Sequence, residues 1–425
     1  MTNNSGRTYR KRRRKLNPSC NANLNIHDQK YFNLLCQWMG TKGFKPLKRL
    51  CPMIFKESGR GLMAKERISR GDVIVAIPEK LLITPVKVLS LYLGDYFEKY
   101  CPDASGHEIL SVFLMCERVK FHSSEWYPYL CSLPESYDIP AFHDGYPFSK
   151  LPINISSLAT KQIESVKTAY EKLNLLLKHL EQSHPTFHST LNFSLYKWAW
   201  CTVNTRCVHM DCFRENCPGK FCTFHLALAP YLDLLNHNCE VQVVAGYNSE
   251  RRQYEIRSLC GFKKYSQVFI NYGPHNNYTL LIEYGFIVNQ NHNHSVTFSS
   301  VEILDACKQC HFISSVSEKL KFILSNDILS NAVCSHDGLS WNLVVILRIL
   351  TSENQLKDWK SILHDGSKLS ADELNYEKLK KKLLSIKIND YNFVYDTNSV
   401  EYSYLEKIIE ELSSIDKLIL IKALK

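Results

Sequence analysis

Two short apolar runs, each stopped by polar residues, constrain this chain more than any other feature. The first is Tyr231-Leu232-Asp233-Leu234-Leu235, and it breaks off at Asn236-His237-Asn238-Cys239. The second is Phe269-Ile270, and it breaks off at Asn271-Tyr272-Gly273-Pro274. Proline cannot donate to a strand ladder, so the second run ends where Pro274 stands. The Tyr272 ring, at the last position before that stop, is expected to project into a site rather than a core. Between the runs, Val241 to Ala245 and Gln253 to Arg257 read as a hairpin around Tyr247-Asn248-Ser249-Glu250, and Gln267 to Asn271 as a further strand. Far upstream, Ser58-Gly59-Arg60-Gly61 reads as a turn and Leu62-Met63-Ala64 as the start of a strand.

The rest of the first 300 residues alternates β units with helices. Val73 to Ile77 is a β-branched run closed by Pro78, and Leu81 to Ile83 reads as a third short strand. Helices are expected over His27 to Met39, from a Ser105 cap through Lys120, over Lys161 to Glu181, and from Ser194 to Asn204. The third has Ile163, Val166, Tyr170, Leu173, Leu177 and Leu180 in one stripe. Trp126 to Tyr146 reads as an ordered loop. Asn276 caps a further helix that ends at Gly285. From about residue 303 the pattern is helical, with candidates over Val316 to Leu329, Trp341 to Ser352, Glu373 to Ile386 and Val400 to Lys422. A length of 425 residues suits two domains. The shift in composition near residue 300 gives the expected boundary: 1–25 as a disordered basic arm, 26–300 as an α+β domain, and 301–425 as an all-α domain.

The formal charge of +10 is concentrated at the front, in Arg10-Lys11-Arg12-Arg13-Arg14-Lys15. Such a run reads as a nuclear-import or nucleic-acid-contacting arm, or as a solvated tail. No membrane span is legible, because the most apolar stretch, Trp341 to Leu350, is short and carries Arg348. No apolar signal-peptide core follows the basic residues. The nucleus and cytoplasm are the expected compartments, with the 16 cysteines mostly reduced. Cys207, Cys212, Cys217 and Cys222, with His209 and His225, offer a tetrahedral zinc set or reduced loop cysteines. The paired Cys-x2-Cys knuckles of common zinc sites are absent.

Taken together and in this order, Gly59-Arg60-Gly61-Leu62-Met63-Ala64, Asn236-His237 and Asn271-Tyr272-Gly273 resemble the SET-domain protein methyltransferases. The long insert between the first two pieces and the helical tail after the third resemble the branch typified by the Rubisco large-subunit methyltransferase. Trp198-Ala199-Trp200-Cys201-Thr202-Val203-Asn204-Thr205-Arg206 and Asp233-Leu234-Leu235-Asn236-His237 narrow the likeness within that branch. Asn238 and Glu240-Val241 depart from the commoner Ser and Pro-Asn after the Asn-His pair.

The resemblance implies a SET fold of small β-sheets, split by a helical insert at about residues 90–225 and followed by an all-α substrate-binding domain. It implies S-adenosylmethionine as methyl donor, with no metal required, and a protein substrate bearing a target lysine, such as a histone tail. Ser58, Gly59, Arg60, Gly61 and Leu62 would contact the donor through their main chain, and Asn236, His237, Asp233 and Tyr272 would also touch it. Arg206 would pair with the donor's carboxylate in a charge-assisted bond. Tyr272 and Tyr284 would be the catalytic tyrosines, although Tyr284 also suits a packed aromatic at a helix end. Methyl transfer asks mainly for alignment of donor and amine and exclusion of water. Histidine as acceptor, a silent module that binds lysine-bearing tails, and a nucleic-acid adaptor working through the basic arm are the rival readings.

Overall fold

A computed structural model describes residues 26–46, 50–143, 146, 148, 151–210, 224–312, 316–352, 373–391 and 404–425. Residues 1–25, with the basic run, lie outside the described residues. The architecture is α+β: small sheets with helices between their strands, then a helical C-terminal region. The chain divides into two compact units. One takes the chain up to Tyr137 with Ser165–Pro274; the other takes Asp138–Glu164 with His275–Lys425. The division thus falls at Pro274 and inside a helix, not at the composition shift near residue 300. Among the described residues no helix is long and apolar enough to cross a membrane.

The first unit carries a four-stranded sheet built from β1 (Leu50–Phe55), β2 (Gly59–Ala64), β6 (Asn236–His237) and β9 (Gln267–Ile270), in the order β1-β2-β9-β6. β1 and β2 form a tight hairpin in which Phe55 faces Gly59. Gly59 has φ +65°, the left-handed conformation such a short loop needs. The Gly59-Arg60-Gly61 segment is therefore strand rather than turn; only its start bends. β9 pairs antiparallel with β2, Met63 opposite Gln267, and parallel with β6, His237 opposite Ile270. A second sheet, β3 (Val73–Pro78), β8 (Gln253–Ser258) and β7 (Val243–Asn248), and a two-stranded ladder of β4 (Cys207–His209) and β5 (Leu226–Leu228) complete the strands of this unit. Leu81 sits in a 3-10 turn rather than a strand, and Ile83 makes one isolated bridge to Leu228.

Two helices frame these sheets. Gly106–Lys120 starts with a reciprocal capping box, in which Glu108 N–H donates to Ser105 Oγ and Ser105 N–H donates to the Glu108 carboxylate. Phe193–Arg206 is capped by Asn192, two residues before the expected Ser194, and ends at Arg206. The helix read over Lys161 to Glu181 runs from Ile153 to Ser183. Its first turns bury Asn154, Ser156 and Gln162, polar residues that hide the apolar stripe in the sequence.

The second unit packs Ser300–Gln309, Val316–Ser325, Trp341–Thr351 and Glu373–Asp390 around Ile303, Leu343, Ile346, Leu350 and Leu383. Leu405, Ile408, Ile409 and Leu412 of the last helix, Tyr404–Leu424, pack with Ile155, Ala159 and Leu281. The apolar stripe of that helix is thus core. This helical region also holds a three-stranded sheet, β10 (Ser295–Thr297), β11 (Val333–Ser335) and β12 (Gly338–Leu339). Strands this short offer no alternation to read in advance.

One carboxylate in the stripe is fully buried. Asp416 accepts hydrogen bonds from His294 Nε2 at 2.7 Å and from the Tyr278 hydroxyl at 2.5 Å. His294 Nδ1 accepts from the Asn277 N–H at 3.2 Å, so its proton sits on Nε2. Tyr278 also receives a bond from Asn154, whose side-chain oxygen accepts from the buried Lys387. Asp416→Ala removes the acceptor of two buried donors at once and is expected to destabilise the fold by about 3–5 kcal/mol, with Asp416→Asn milder. Urea denaturation checks this; an Asp416→Ala loss below about 1 kcal/mol would contradict it.

Candidate active site

The three motif segments meet in the β1-β2-β9-β6 sheet. Asn236 Nδ2 donates to the carbonyls of Ser58 at 3.3 Å and Arg60 at 2.8 Å, tying β6 to the start of β2. Arg60 Nη1 donates to the Ser132 carbonyl at 3.0 Å, and Ser58 Oγ donates to Gln267 Oε1 at 2.9 Å. A Cβ on Gly61 would stand 2.6 Å from Gln267 Nε2, 2.9 Å from Asn236 Nδ2 and 3.1 Å from the Phe55 ring. A larger residue would have to displace the Gln267 and Asn236 amides from the bonds that hold them. The Leu62 side chain is fully buried, so this residue offers a ligand its main chain alone.

His237 and Tyr272 are joined through the parallel ladder. Tyr272 N–H donates to His237 Nδ1 at 3.1 Å, and the two rings lie 5.3 Å apart. The Tyr272 hydroxyl donates to the Leu235 carbonyl at 2.7 Å. Both bonds fix the tyrosine at the exit of β9, where Asn271 Oδ1 accepts the Gly273 N–H and turns the chain away.

Arg206 and Asp233 form a second cluster. Tyr231, in a left-handed conformation at φ +72°, leads into the 3-10 turn Leu232–Leu234 that carries Asp233. The Tyr231 ring packs on Phe44 at 5.3 Å, which holds this uncommon conformation. Arg206 Nη1 donates to the Asp233 carbonyl at 2.9 Å and stands 3.7 Å from the Asp233 carboxylate. The Tyr129 hydroxyl donates to that carboxylate at 2.9 Å. Burial opposes the Arg206 charge, but Asp233 and then the hydroxyls of Tyr137, Tyr129 and Tyr272 outweigh it and hold the guanidinium above its usual value. Burial pushes the Asp233 carboxyl above the usual carboxylate range, with Arg206 and Tyr129 pulling the other way. Arg206 Nε is buried with no hydrogen-bond partner among the described residues. The cluster therefore keeps a largely covered cation whose buried Nε has donor capacity to spare, which suits an anionic ligand group.

Tyr284 belongs to the second unit. It ends a π-helical segment, Leu280–Tyr284, that follows the Asn276 cap and stops at Gly285 with φ +78°. A Cβ at Gly285 would stand 2.8 Å from the Asp138 carbonyl carbon. Gln162 Nε2 donates to the Ile282 carbonyl at 2.5 Å and steadies the turn. The Tyr284 ring lies 5.8 Å from His275 and 6.2 Å from Phe286. The expected helix from Asn276 to Gly285 is there, but its second half is wound more widely.

Of the cysteine set, Cys212, Cys217 and Cys222 lie outside the described residues. The Cys207 thiol is pushed well up by burial and then by Asp233. His209 and His225 stack at 5.6 Å across the ladder of β4 and β5.

Sequence reasoning missed Tyr129, Gln267 and the Leu235 carbonyl. Tyr129 stands in a stretch with no periodicity. The alternation along β9 separates Gln267 from the buried Val268 and Ile270, and that is its one signal.

The sequence profile of the SET domain matches residues 59–273. "SET domain-containing protein 4" of Homo sapiens is 32% identical over 435 residues, covering 100% of this chain and 95% of that protein. "Actin-histidine N-methyltransferase" of Danio rerio is 28% identical over 317 residues, covering 72% of this chain and 50% of that protein. Among solved structures, the SET domain of LSMT bound to lysine and AdoHcy superposes with a TM-score of 0.66 at 19% identity, covering 95% of this chain and 91% of that one. Rubisco LSMT bound to AdoMet gives the same score and identity, covering 94% and 91%. At this identity the structures speak for the fold. The profile and the full-length relative speak for descent: the chain belongs to the SET domain methyltransferase family, in the group of SET domain-containing protein 4.

Proposed function

We propose that this chain is an S-adenosylmethionine-dependent protein-lysine N-methyltransferase. The observation that carries the reading is the meeting of Ser58–Leu62 and Asn236-His237 in one sheet, with Tyr272 bonded to His237 at the exit of β9.

The residues present fit the donor. The spare Nε of the buried Arg206 suits the donor's carboxylate. The side-chain-free Gly59, with nothing standing where a Cβ would be, leaves the start of β2 open to close approach. Asn236, His237, Asp233 and the main chain of Ser58–Leu62 would hold the remainder. When bound, S-adenosylmethionine supplies a methyl group on a sulfonium, with a neutral thioether as leaving group. The chain's part is alignment and exclusion of water. Tyr272 spends its hydroxyl hydrogen on the Leu235 carbonyl, which leaves its oxygen lone pairs to steer the amine. Tyr284 would line the path of the lysine side chain. A free lysine has a pKa of about 10.4, so it must lose a proton first. Burial among aromatic rings and beside a cation favours that loss, and the proton leaves by water. No step of this scheme needs a metal.

Histone tails and non-histone proteins are the substrates we favour, in the nucleus and cytoplasm. The basic run Arg10–Lys15 supports the nuclear part and a contact with nucleic acid. The helical second unit would bind the substrate protein. A second reading, methyl transfer to histidine, is favoured by the actin-histidine relative.

Purified chain with tritiated S-adenosylmethionine and core histones tests both readings. Label should enter lysine, and Tyr272→Phe should lower the rate about 100-fold with donor affinity nearly unchanged. Methyl-histidine in the hydrolysate would favour the second reading. Donor binding without transfer to histones or to lysate proteins would leave a silent binding module.

Arg206→Met should weaken donor binding about 100-fold by calorimetry. It should also cost about 3–5 kcal/mol in urea denaturation, because the buried Asp233 carboxyl loses its cationic partner. Unchanged donor affinity would remove Arg206 from the site.

A further inference from the structure

We infer that Gln267 is a further donor-binding residue, whose side-chain amide meets the nucleoside end of the methyl donor beside Gly61. This rests on the proposed use of S-adenosylmethionine.

Three observations carry it. Ser58 Oγ donates to Gln267 Oε1 at 2.9 Å, which fixes the amide plane and turns the nitrogen the other way. That nitrogen, Nε2, is buried with no hydrogen-bond partner among the described residues. A Cβ on Gly61 would be 2.6 Å from Gln267 Nε2 and 2.9 Å from Asn236 Nδ2, so two amide nitrogens close on one glycine. Asn236 already spends both amide hydrogens on the Ser58 and Arg60 carbonyls. Exchanging the oxygen and nitrogen of Gln267 would turn the Ser58 bond round, with Nε2 donating to Ser58 Oγ, and would set Oε1 toward an Asn236 amide whose hydrogens are both spent.

A buried amide donor without an acceptor is costly in a folded protein, and it persists where a ligand or an ordered water completes it. The position favours a ligand. Gln267 faces Met63 across the β2–β9 pairing, alongside the segment proposed to carry the donor. The charged Arg206 suits the donor's carboxylate, and the neutral amide suits an uncharged acceptor, a ribose hydroxyl oxygen or an adenine ring nitrogen.

Calorimetric titration of the full chain with S-adenosylmethionine and with 5′-methylthioadenosine, which lacks the amino-acid part, tests the assignment. Gln267→Glu keeps the shape and the acceptor for Ser58 but removes the donor hydrogens. It should weaken both ligands about tenfold or more. Ser58→Ala, which leaves the amide in place but unanchored, should weaken both by a smaller factor. The melting temperature of each variant is read alongside. If Gln267→Glu melts early, Ser58→Ala and Gln267→Met carry the same comparison. Wild-type affinity in these variants would overturn the inference and assign the amide to water. A loss confined to S-adenosylmethionine would overturn the nucleoside assignment. Failure of wild-type chain to bind either ligand would remove the donor reading itself, and this inference with it.

Discussion

Strand β9 is hydrogen-bonded on both sides, and the site depends on that. It runs antiparallel to β2 and parallel to β6, so a single four-residue strand brings the glycine segment and the Asn-His pair alongside each other. A parallel neighbour cannot be reached by a tight turn. The chain therefore leaves β6, builds β7 and β8 as a hairpin, and returns to β9. The Asn236 amide then ties β6 back to β2. This lacing of backbone holds the site's segments in register above buried Leu62, Leu235 and Val268.

Much of this was legible in the sequence because strand ends and glycines are strong local signals. Tyr272 was marked by its place at an abrupt strand end, and Asn236-His237 and Gly59–Gly61 by a motif order that resembles the SET family. The helix of Gly106–Lys120 announced itself through its Ser105–Glu108 box. What stayed hidden depends on partners remote in the chain. Tyr129 finds Asp233 across 104 residues, and Gln267 finds Ser58 across 209. Neither tyrosine nor glutamine carries a local mark of such a partner. Asn154 and Ser156 hid the opening turns of a long helix, since their burial is balanced by hydrogen bonds that no periodicity count contains. The widened turn at Leu280–Tyr284 was likewise invisible, because the bond from Gln162 that steadies it comes from another helix.

The two units solve the problem of buried polarity in different ways. In the second, Asp416, His294, Tyr278 and Asn154 satisfy one another, and Lys387 with Glu302 extends the chain of bonds. A network so complete fixes a unique arrangement of helices. In the first unit the Arg206–Asp233 cluster and the Gln267 amide are left short of partners. Incomplete satisfaction beside a complete network is what separates a place built to receive something from one built to hold the fold.

The 209-residue separation of Ser58 and Gln267 has a bearing on how the protein is made. Chains emerge from the ribosome at about 5–20 residues per second, so β1 and β2 wait on the order of 10–40 seconds for β9. Throughout that interval the hairpin has one edge without its ladder. The first unit cannot close until Asp138–Glu164, a stretch that belongs to the second unit, has already been synthesised. Closure of the sheet therefore waits on synthesis, and until β9 is made the strand edge it will pair with has no proper mate.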